Sequence, residues 1–374
     1  MRSWLMEGSC PRAGVPPGRP AQVRPSRGRV ATLVAVLLLP LAARGQSHPA
    51  PPPPPGRLVD IGQGVSLHID CTGRGGPSVI LLHGLGDYSF DWALVQPEIA
   101  KSVRTCSYDR AGVAWSSPGR PPRGPEATAQ ELRALLQRAG IKPPYVLVGH
   151  SWGGLIARMY AHDYPGEVAG LVLVDSTHED EYLWVNGKVL RPLRVSTEEW
   201  ESLTKPKPRP GAAQPQQADP PAQAAVAAPP PRLEPPFDKL PPDAQKLRLW
   251  AMSLPWSQAS FEGGDSLDLR SDLIQVHKAL DGEHPLGKIP VVVVSKTLAP
   301  EEDYTEEQVE WNHGLQDKLA GESTNSLHLV AKNSGHHIQL EDPRLVSAAI
   351  RGVLAAVRAH KPLTSIQVTS HDSF

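Results

Sequence analysis

The sequence predicts an α/β fold in which a mainly parallel sheet is covered by helices on both faces. Three observations carry this reading. The runs Val79–Leu82, Tyr145–Val148, Gly170–Val174 and Pro290–Ser295 are uncharged and almost wholly apolar, as strands buried on both faces must be. Helical patterns stand between or after them, over Glu126–Ala139 and from Leu155 to about Tyr164. A polar loop, Asn333–Pro343, follows the last strand at the sheet edge where such folds gather ligands.

The chain has 374 residues, a net charge of -1 and a pI near 6.9. It holds one large domain or two small ones, and its charge gives no reason to expect nucleic acid or an anionic membrane as a partner. Proline is over-represented: twelve of its 41 prolines precede Gly56 and eleven lie between Lys205 and Pro236. Residues 1–45 carry Arg2, Arg12, Arg19, Arg24, Arg27 and Arg29, then the apolar run Val30–Leu41, then small residues at Ala43 and Gly45. This reads as a secretory signal peptide, cut near Gly45 or retained as an anchor. Its apolar core is shorter than the about 20 residues that cross a bilayer unaided. Residues 46–57 form a stiff proline-rich spacer.

From residue 58 to 360 the rhythm is that of one domain. Leu58–Ile61 and Val65–Cys71 alternate polar and apolar residues as a half-exposed hairpin. Val79–Leu82 ends in His83-Gly84-Leu85-Gly86, and Val103–Tyr108 closes on Asp109-Arg110-Ala111-Gly112. The Glu126–Ala139 helix places Ala127, Leu132, Leu135, Leu136 and Ala139 on one side. After Gly170–Val174 the rhythm is lost over residues 176–288, an insertion whose segment 205–236 is low in complexity and expected to be disordered. Trp184, Trp200, Trp250 and Trp256 fall in that insertion, as an acyl pocket or as the insertion's own small core. Strands return at Pro290–Ser295 and Ser326–Val330. The closing helix, Pro343 to about Arg358, repeats Val346, Ala349, Ile350, Val353 and Val357 at helical spacing, and 361–374 is a polar tail.

The chemistry is focused at Gly149-His150-Ser151-Trp152-Gly153, between an apolar strand and a helix. A chain that reverses so sharply holds its central residue in a left-handed state, and glycines on either side avoid collision with the other limb of the turn. Ser151 is therefore read as a nucleophile, and a serine hydroxyl needs a base to take its proton. His336 is the best base, with His337 its direct competitor. The spacing His-x-x-x-x-Glu-x-Pro starts from His336.

In the order His83-Gly84, Gly149-His150-Ser151-Trp152-Gly153, Asp175 and Gly335-His336, the chain resembles the α/β-hydrolase fold family from about residue 58 to 357. The resemblance implies an eight-stranded sheet with an antiparallel second strand, a lid inserted after strand six and a Ser–acid–His triad. It implies an oxyanion hole made by the backbone N–H groups of Leu85 and Trp152. The acid's usual place, after strand seven, falls near Ala299, and Glu302 and Asp303 lie beyond it. Asp175, at the tip of strand six, occupies the place some relatives use and is favoured over both. Asp109–Gly112 resembles a structural turn of the family, with Ala114 where a glycine is common; His150 and Glu341 are read as loop-setting groups.

The family order also sets strand two beside strand four, so Cys71 and Cys106 are expected to form a disulfide if the protein is exported. The third cysteine, Cys10, lies in the leader, and no cysteine or histidine spacing suggests a metal. A serine at the elbow argues against the dehalogenase and epoxide-hydrolase branches, which use a carboxylate. The expectation is an exported serine hydrolase, secreted or periplasmic, cleaving a small carboxylic ester or related acyl compound without a cofactor. It touches a membrane only through an uncleaved leader. The same triad serves peptidases, lactonases, thioesterases and carbon–carbon hydrolases, and a silent binding protein shares the scaffold.

Overall fold

The alternation of side chains along a strand sends residues i and i+1 to opposite faces, and the apolar runs build two cores that way. In the computed structural model, which describes residues 51–121, 123–185, 187–204, 233–254, 268–297 and 304–366, these runs are central strands. The strands are β1 (Arg57–Gly62), β2 (Val65–Thr72), β3 (Ser78–Leu82), β4 (Thr105–Tyr108), β5 (Tyr145–His150) and β6 (Val168–Val174). They continue with β7 (Leu183–Val185), β8 (Lys188–Leu190), β9 (Val291–Ser295) and β10 (Ser326–Val330). Eight of them form one sheet in the order β1-β2-β4-β3-β5-β6-β9-β10. β2 runs antiparallel to both its neighbours, and every other pair is parallel.

Ile80, Leu147, Leu171 and Val293 face one core with the helices Pro125–Arg138 and Trp152–Asp163. Leu81, Val148, Val172 and Val294 face the other, against Ile99 and the helix Pro343–Ala359 through Val346, Ile350 and Val353. The helix Pro125–Arg138 buries Thr128, Ala129, Leu132, Leu135 and Leu136. Leu132, Leu135 and Leu136 of the expected face are buried and Ala139 packs partly buried on the core, whereas Ala127 is half-buried and Thr128 and Ala129 are buried instead. Because the sheet is parallel around its centre, the carboxyl ends of β3, β4, β5, β6 and β10 share one edge. His83, Asp109, Ser151 and Asp175 follow four of those ends directly, and the His336 loop follows the fifth.

Between β6 and β9 the described residues form the small β7–β8 hairpin and the helices Thr197–Thr204, Pro242–Met252 and Leu269–Ala279. The sequence reading left these as an unstructured rhythm. The helix Pro242–Met252 covers the loop after β3: Trp250 lies on Trp115 at 4.9 Å between ring centroids, and Leu240, Ala244 and Ala251 are buried with Tyr88 and Phe90. Trp184 is exposed. Residues 1–50, 205–232 and 367–374, with Trp256, Glu302 and Asp303, lie outside the described residues. Among the described residues no helix is long and apolar enough to cross a membrane. Cys71 and Cys106 sit opposite one another in the β2–β4 register and are joined by a disulfide.

The end of the spacer is fastened to the domain. Trp115 donates its Nε1–H to the Pro52 carbonyl at 2.8 Å, and His68 Nε2 lies 2.5 Å from the Pro55 carbonyl. The other His68 nitrogen meets Asp109 Oδ2 at 2.7 Å, and both side chains are fully buried. Burial works against a charged His68, but its hydrogen bond to Asp109, with the Asp109, Pro55 and Asp70 contributions, outweighs burial and raises the pKa above 6.5. A raised histidine contributes stability that is whole below its unfolded pKa and lost as pH rises through the folded one. Wild type should therefore lose melting temperature from pH 6.5 upward relative to His68→Gln, the variant itself costing about 1–3 kcal/mol at pH 6. Parallel thermal melts across that range test this; identical slopes would refute it.

Candidate active site

The strand-to-helix reversal after β5 sets the site. Ser151 holds φ 52° and ψ −124°, a state that costs a non-glycine residue about 1–3 kcal/mol. Its N–H reaches the Val174 carbonyl at 3.1 Å, and its carbonyl accepts from Gly154 at 2.9 Å, so neighbouring strand and helix fix the turn. A Cβ on Gly149 would meet the Gly153 carbonyl oxygen at 2.5 Å, the expected clash with the other limb. A Cβ on Gly153 would instead meet the Leu82 oxygen at 2.3 Å. The second glycine thus clears the end of β3 rather than its own turn, which brings the His83–Gly86 loop against the nucleophile.

Asp175 and His336 come together from 161 residues apart, with His336 Nδ1 2.5 Å from Asp175 Oδ2. Asp175 also has positive φ, at 39°, and its N–H bonds the Val294 carbonyl at 2.7 Å. Its other oxygen accepts from the Lys296 N–H at 3.2 Å, while Lys296 Nζ stands 3.0 Å from Oδ2. Burial would raise the Asp175 pKa, but the Lys296 cation and His336 outweigh it and hold the carboxyl well below its usual range. Desolvation lowers the His336 pKa from 6.5 against the pull of Asp175, and His150 and Lys296 lower it further. The His336 side chain is 41% exposed, so water moderates that drop without reversing it. His337, the rival base, points elsewhere: its Nε2 is 3.3 Å from Asp87 Oδ1 and its ring packs edge-on to Phe237 at 4.6 Å.

The Ser151 side chain makes no capping hydrogen bond to its own helix, which leaves the hydroxyl to substrate and base; in unliganded sites the nucleophile–base hydrogen bond is often long and tightens only with substrate bound. The base loop is nonetheless tied to the elbow, because His150 Nε2 lies 2.9 Å from the His336 carbonyl. Leu85 follows Gly84, where a Cβ would sit 3.1 Å from the Ser151 Cβ. Trp152 opens the elbow helix, where first-turn N–H groups lack intrahelical acceptors. Arg110 steadies the Leu85 loop, its two terminal nitrogens donating to the His83 and Gly84 carbonyls at 2.5 and 2.8 Å. Ala114 has φ 43°, which explains why glycine suits that place.

The donor atoms of Asp87, His150 and His337 lie within 4.8 Å of one another, a spacing that would suit a metal ion. Arg248 Nη1, 3.6 Å from Asp87 Oδ1, already puts a cation against the same carboxylate. A second cation there would meet like charge in a buried site.

Comparison with known proteins agrees with this architecture. A family model described as the alpha/beta hydrolase fold matches residues 77–195, which include the His83 loop, the elbow and Asp175. A thermophilic esterase from Thermogutta terrifontis superposes with a TM-score of 0.53 over 80% of this chain and 97% of that one, at 20% identity, which speaks to fold alone. The chain has the α/β-hydrolase fold. Among curated relatives of this α/β-hydrolase, the uncharacterized protein YqjL of Bacillus subtilis is 26% identical over 285 residues, 76% of this chain and 86% of that protein. A fluoroacetate dehalogenase of a Burkholderia species is 33% identical over 127 residues, 32% of this chain and 40% of that enzyme's length.

In this α/β-hydrolase, sequence reasoning passed over Asp87, Arg248 and Lys296, and took Arg110 as structural only. Their roles arise from contacts across 63, 157, 121 and 27 positions of sequence. Only Asp87 carried a signal, as the first acid after His83-Gly84-Leu85-Gly86.

Proposed function

We propose that this α/β-hydrolase is an exported serine hydrolase acting on a carboxylic ester or a closely related acyl compound. The observation that carries the reading is the 2.5 Å contact of His336 with Asp175, beside a serine in a strained left-handed turn. A hydroxyl at the elbow directs the chemistry to acyl transfer. Ser151 Oγ attacks the carbonyl carbon as His336 Nε2 takes its proton, and the new oxyanion is met by the N–H groups of Leu85 and Trp152. The acyl–oxygen bond then breaks, and His336 returns the proton to the departing alcohol. Water then attacks the acyl carbon while giving a proton to His336, the bond from that carbon to Ser151 Oγ breaks, and His336 returns the proton to Oγ as the acid leaves. Asp175 orients the imidazole and stabilises its cation throughout. The leader sequence and the Cys71–Cys106 disulfide support export, since structural disulfides persist in oxidising compartments.

The test is labelling by a fluorophosphonate, followed by hydrolysis of p-nitrophenyl esters of graded acyl length. Wild type should label once, at Ser151, and turn over at least one ester, whereas Ser151→Ala should do neither. An unlabelled, well-folded wild type would reduce the protein to a binding module on a hydrolase scaffold.

A further inference from the structure

A second aspartate–histidine contact lies behind the first. Asp87 Oδ2 is 3.0 Å from His150 Nδ1, and both side chains are almost fully buried. His150 Nε2 is 2.9 Å from the backbone carbonyl of His336. A carbonyl oxygen only accepts, so Nε2 must carry the proton shared there. His150 therefore spans three loops: it precedes Ser151 in the chain, its inner nitrogen is held by the loop after β3, and its outer nitrogen holds the base loop. The rings of His150 and His336 stand 4.7 Å apart.

Asp87 is itself held from two sides. His337 Nε2 approaches its Oδ1 at 3.3 Å, and Arg248, from the helix Pro242–Met252, approaches the same oxygen at 3.6 Å. Arg248 also pairs with Asp91 and lies over the Phe237 ring, which in turn packs on His337. His337 and Arg248 thus hold Asp87 by Oδ1, and Oδ2 is left to His150. No atom of this second pair is placed to react with a carbonyl; its outer contact is with main chain.

We propose that His150, anchored by Asp87, is a positioning residue of the site: its Nε2–H fixes the backbone of His336 and so sets the reach of that imidazole toward Ser151. The inference rests on the assignment of Ser151 and His336 as nucleophile and base. It adds a residue that acts through the main chain of the base, where a misplacement of about 1 Å can cost about 100-fold in rate.

Two conservative variants divide the relay. Gln at 150 carries an amide nitrogen near the place of Nε2 and keeps the donation to the His336 carbonyl. Asn carries one near the place of Nδ1 and keeps only the contact with Asp87. The bimolecular rate of fluorophosphonate labelling, and kcat and KM on p-nitrophenyl acetate, should fall about 10–100-fold in kcat for His150→Asn with KM little changed. His150→Gln should stay within about 5-fold of wild type on the same scale. Equal rates in the two variants, high or low, would overturn the proposal, since a residue that only fills space has no preference between them. Should either variant fail to fold, wild type decides by itself. With 15N-labelled histidine, the His150 Nε2 signal should be that of a protonated nitrogen at pH 7, and an unprotonated Nε2 would overturn the relay. Failure of wild type to label at Ser151 would instead remove the functional assignment beneath it, so the two failures are distinct.

Discussion

Asp175→Asn should lower kcat on an activated ester by about 10⁴-fold while leaving the fold intact. The size follows from which atoms face which. Asp175 Oδ1 accepts from the Lys296 N–H, so an asparagine will keep its oxygen there and turn its NH₂ toward His336 Nδ1. Nδ1 must then accept, the ring proton moves to Nε2, and the nitrogen meant to receive the Ser151 proton is already occupied. The same NH₂ would face Lys296 Nζ, 3.0 Å from the wild-type Oδ2, and lose that ion pair as well. The pH profile should separate this cause from general damage. With the His336 pKa lowered, wild type keeps a neutral base down through pH 6.5 and its kcat/KM should decline only below that. Glu302→Gln and Asp303→Asn, at the two other acids in reach of the sequence argument, should change kcat by less than about 3-fold. An Asp175→Asn enzyme with full activity would move the acid to one of those two positions.

The fold was readable because its central strands are nearly pure aliphatic text. Val146–Val148, Leu171–Val174 and Val291–Val294 are buried on both faces, and no helix surface has that composition. Ser151 and Asp175 were readable for a related reason: each stands where a wholly apolar run stops, one set between two glycines of a Gly-x-Ser-x-Gly and the other an acid. The helices Pro242–Met252 and Glu306–Gly321 were not, because they bury little. The first hides Ala244, Arg248 and Ala251, the second Leu315, Gln316, Leu319 and Ala320, and neither shows an apolar stripe against its polar background. Arg248 illustrates why the support of the site escaped. In sequence it is one arginine in a charged helix; folded, it is buried against Asp87 and Asp91. Buried charge is visible only once its partners are in place, and periodicity carries no record of partners 157 positions away.

The largest expected loss of stability is at Arg158, two turns into the helix that Ser151 begins. Its guanidinium is fully buried and shared: Nη1 donates to Glu179 at 2.9 Å and Nε to Glu322 at 2.8 Å. Glu179 lies four residues beyond Asp175 and Glu322 just before β10, so one side chain ties the elbow helix to the chain segments around the acid and the base. Arg158→Met leaves two carboxylates buried without a cation, which should cost about 3–5 kcal/mol, or a melting temperature lower by about 6–20 °C. Burial tends to raise both carboxyls, but Arg158 overcomes it at Glu179, held at about 2, and not at Glu322, which stays above 4.5. One positive charge therefore serves two acids unequally. The sign with pH follows. In wild type, the Glu179 contribution is whole above pH 4.5 and is lost as pH falls toward 2. In Arg158→Met burial raises both carboxyls, the Glu179 charge raises Glu322 further, and only His178 and a backbone hydrogen bond still pull Glu179 down, so stability returns as pH falls and they protonate. The gap between wild type and variant should thus be widest near pH 7 and narrow steadily toward pH 4. Arg158→Met/Glu179→Leu/Glu322→Leu should recover most of the loss, because a buried ion cluster replaced as a whole by apolar groups is often neutral. Equal melting of wild type and Arg158→Met at pH 7 would show that water, rather than the guanidinium, satisfies these acids.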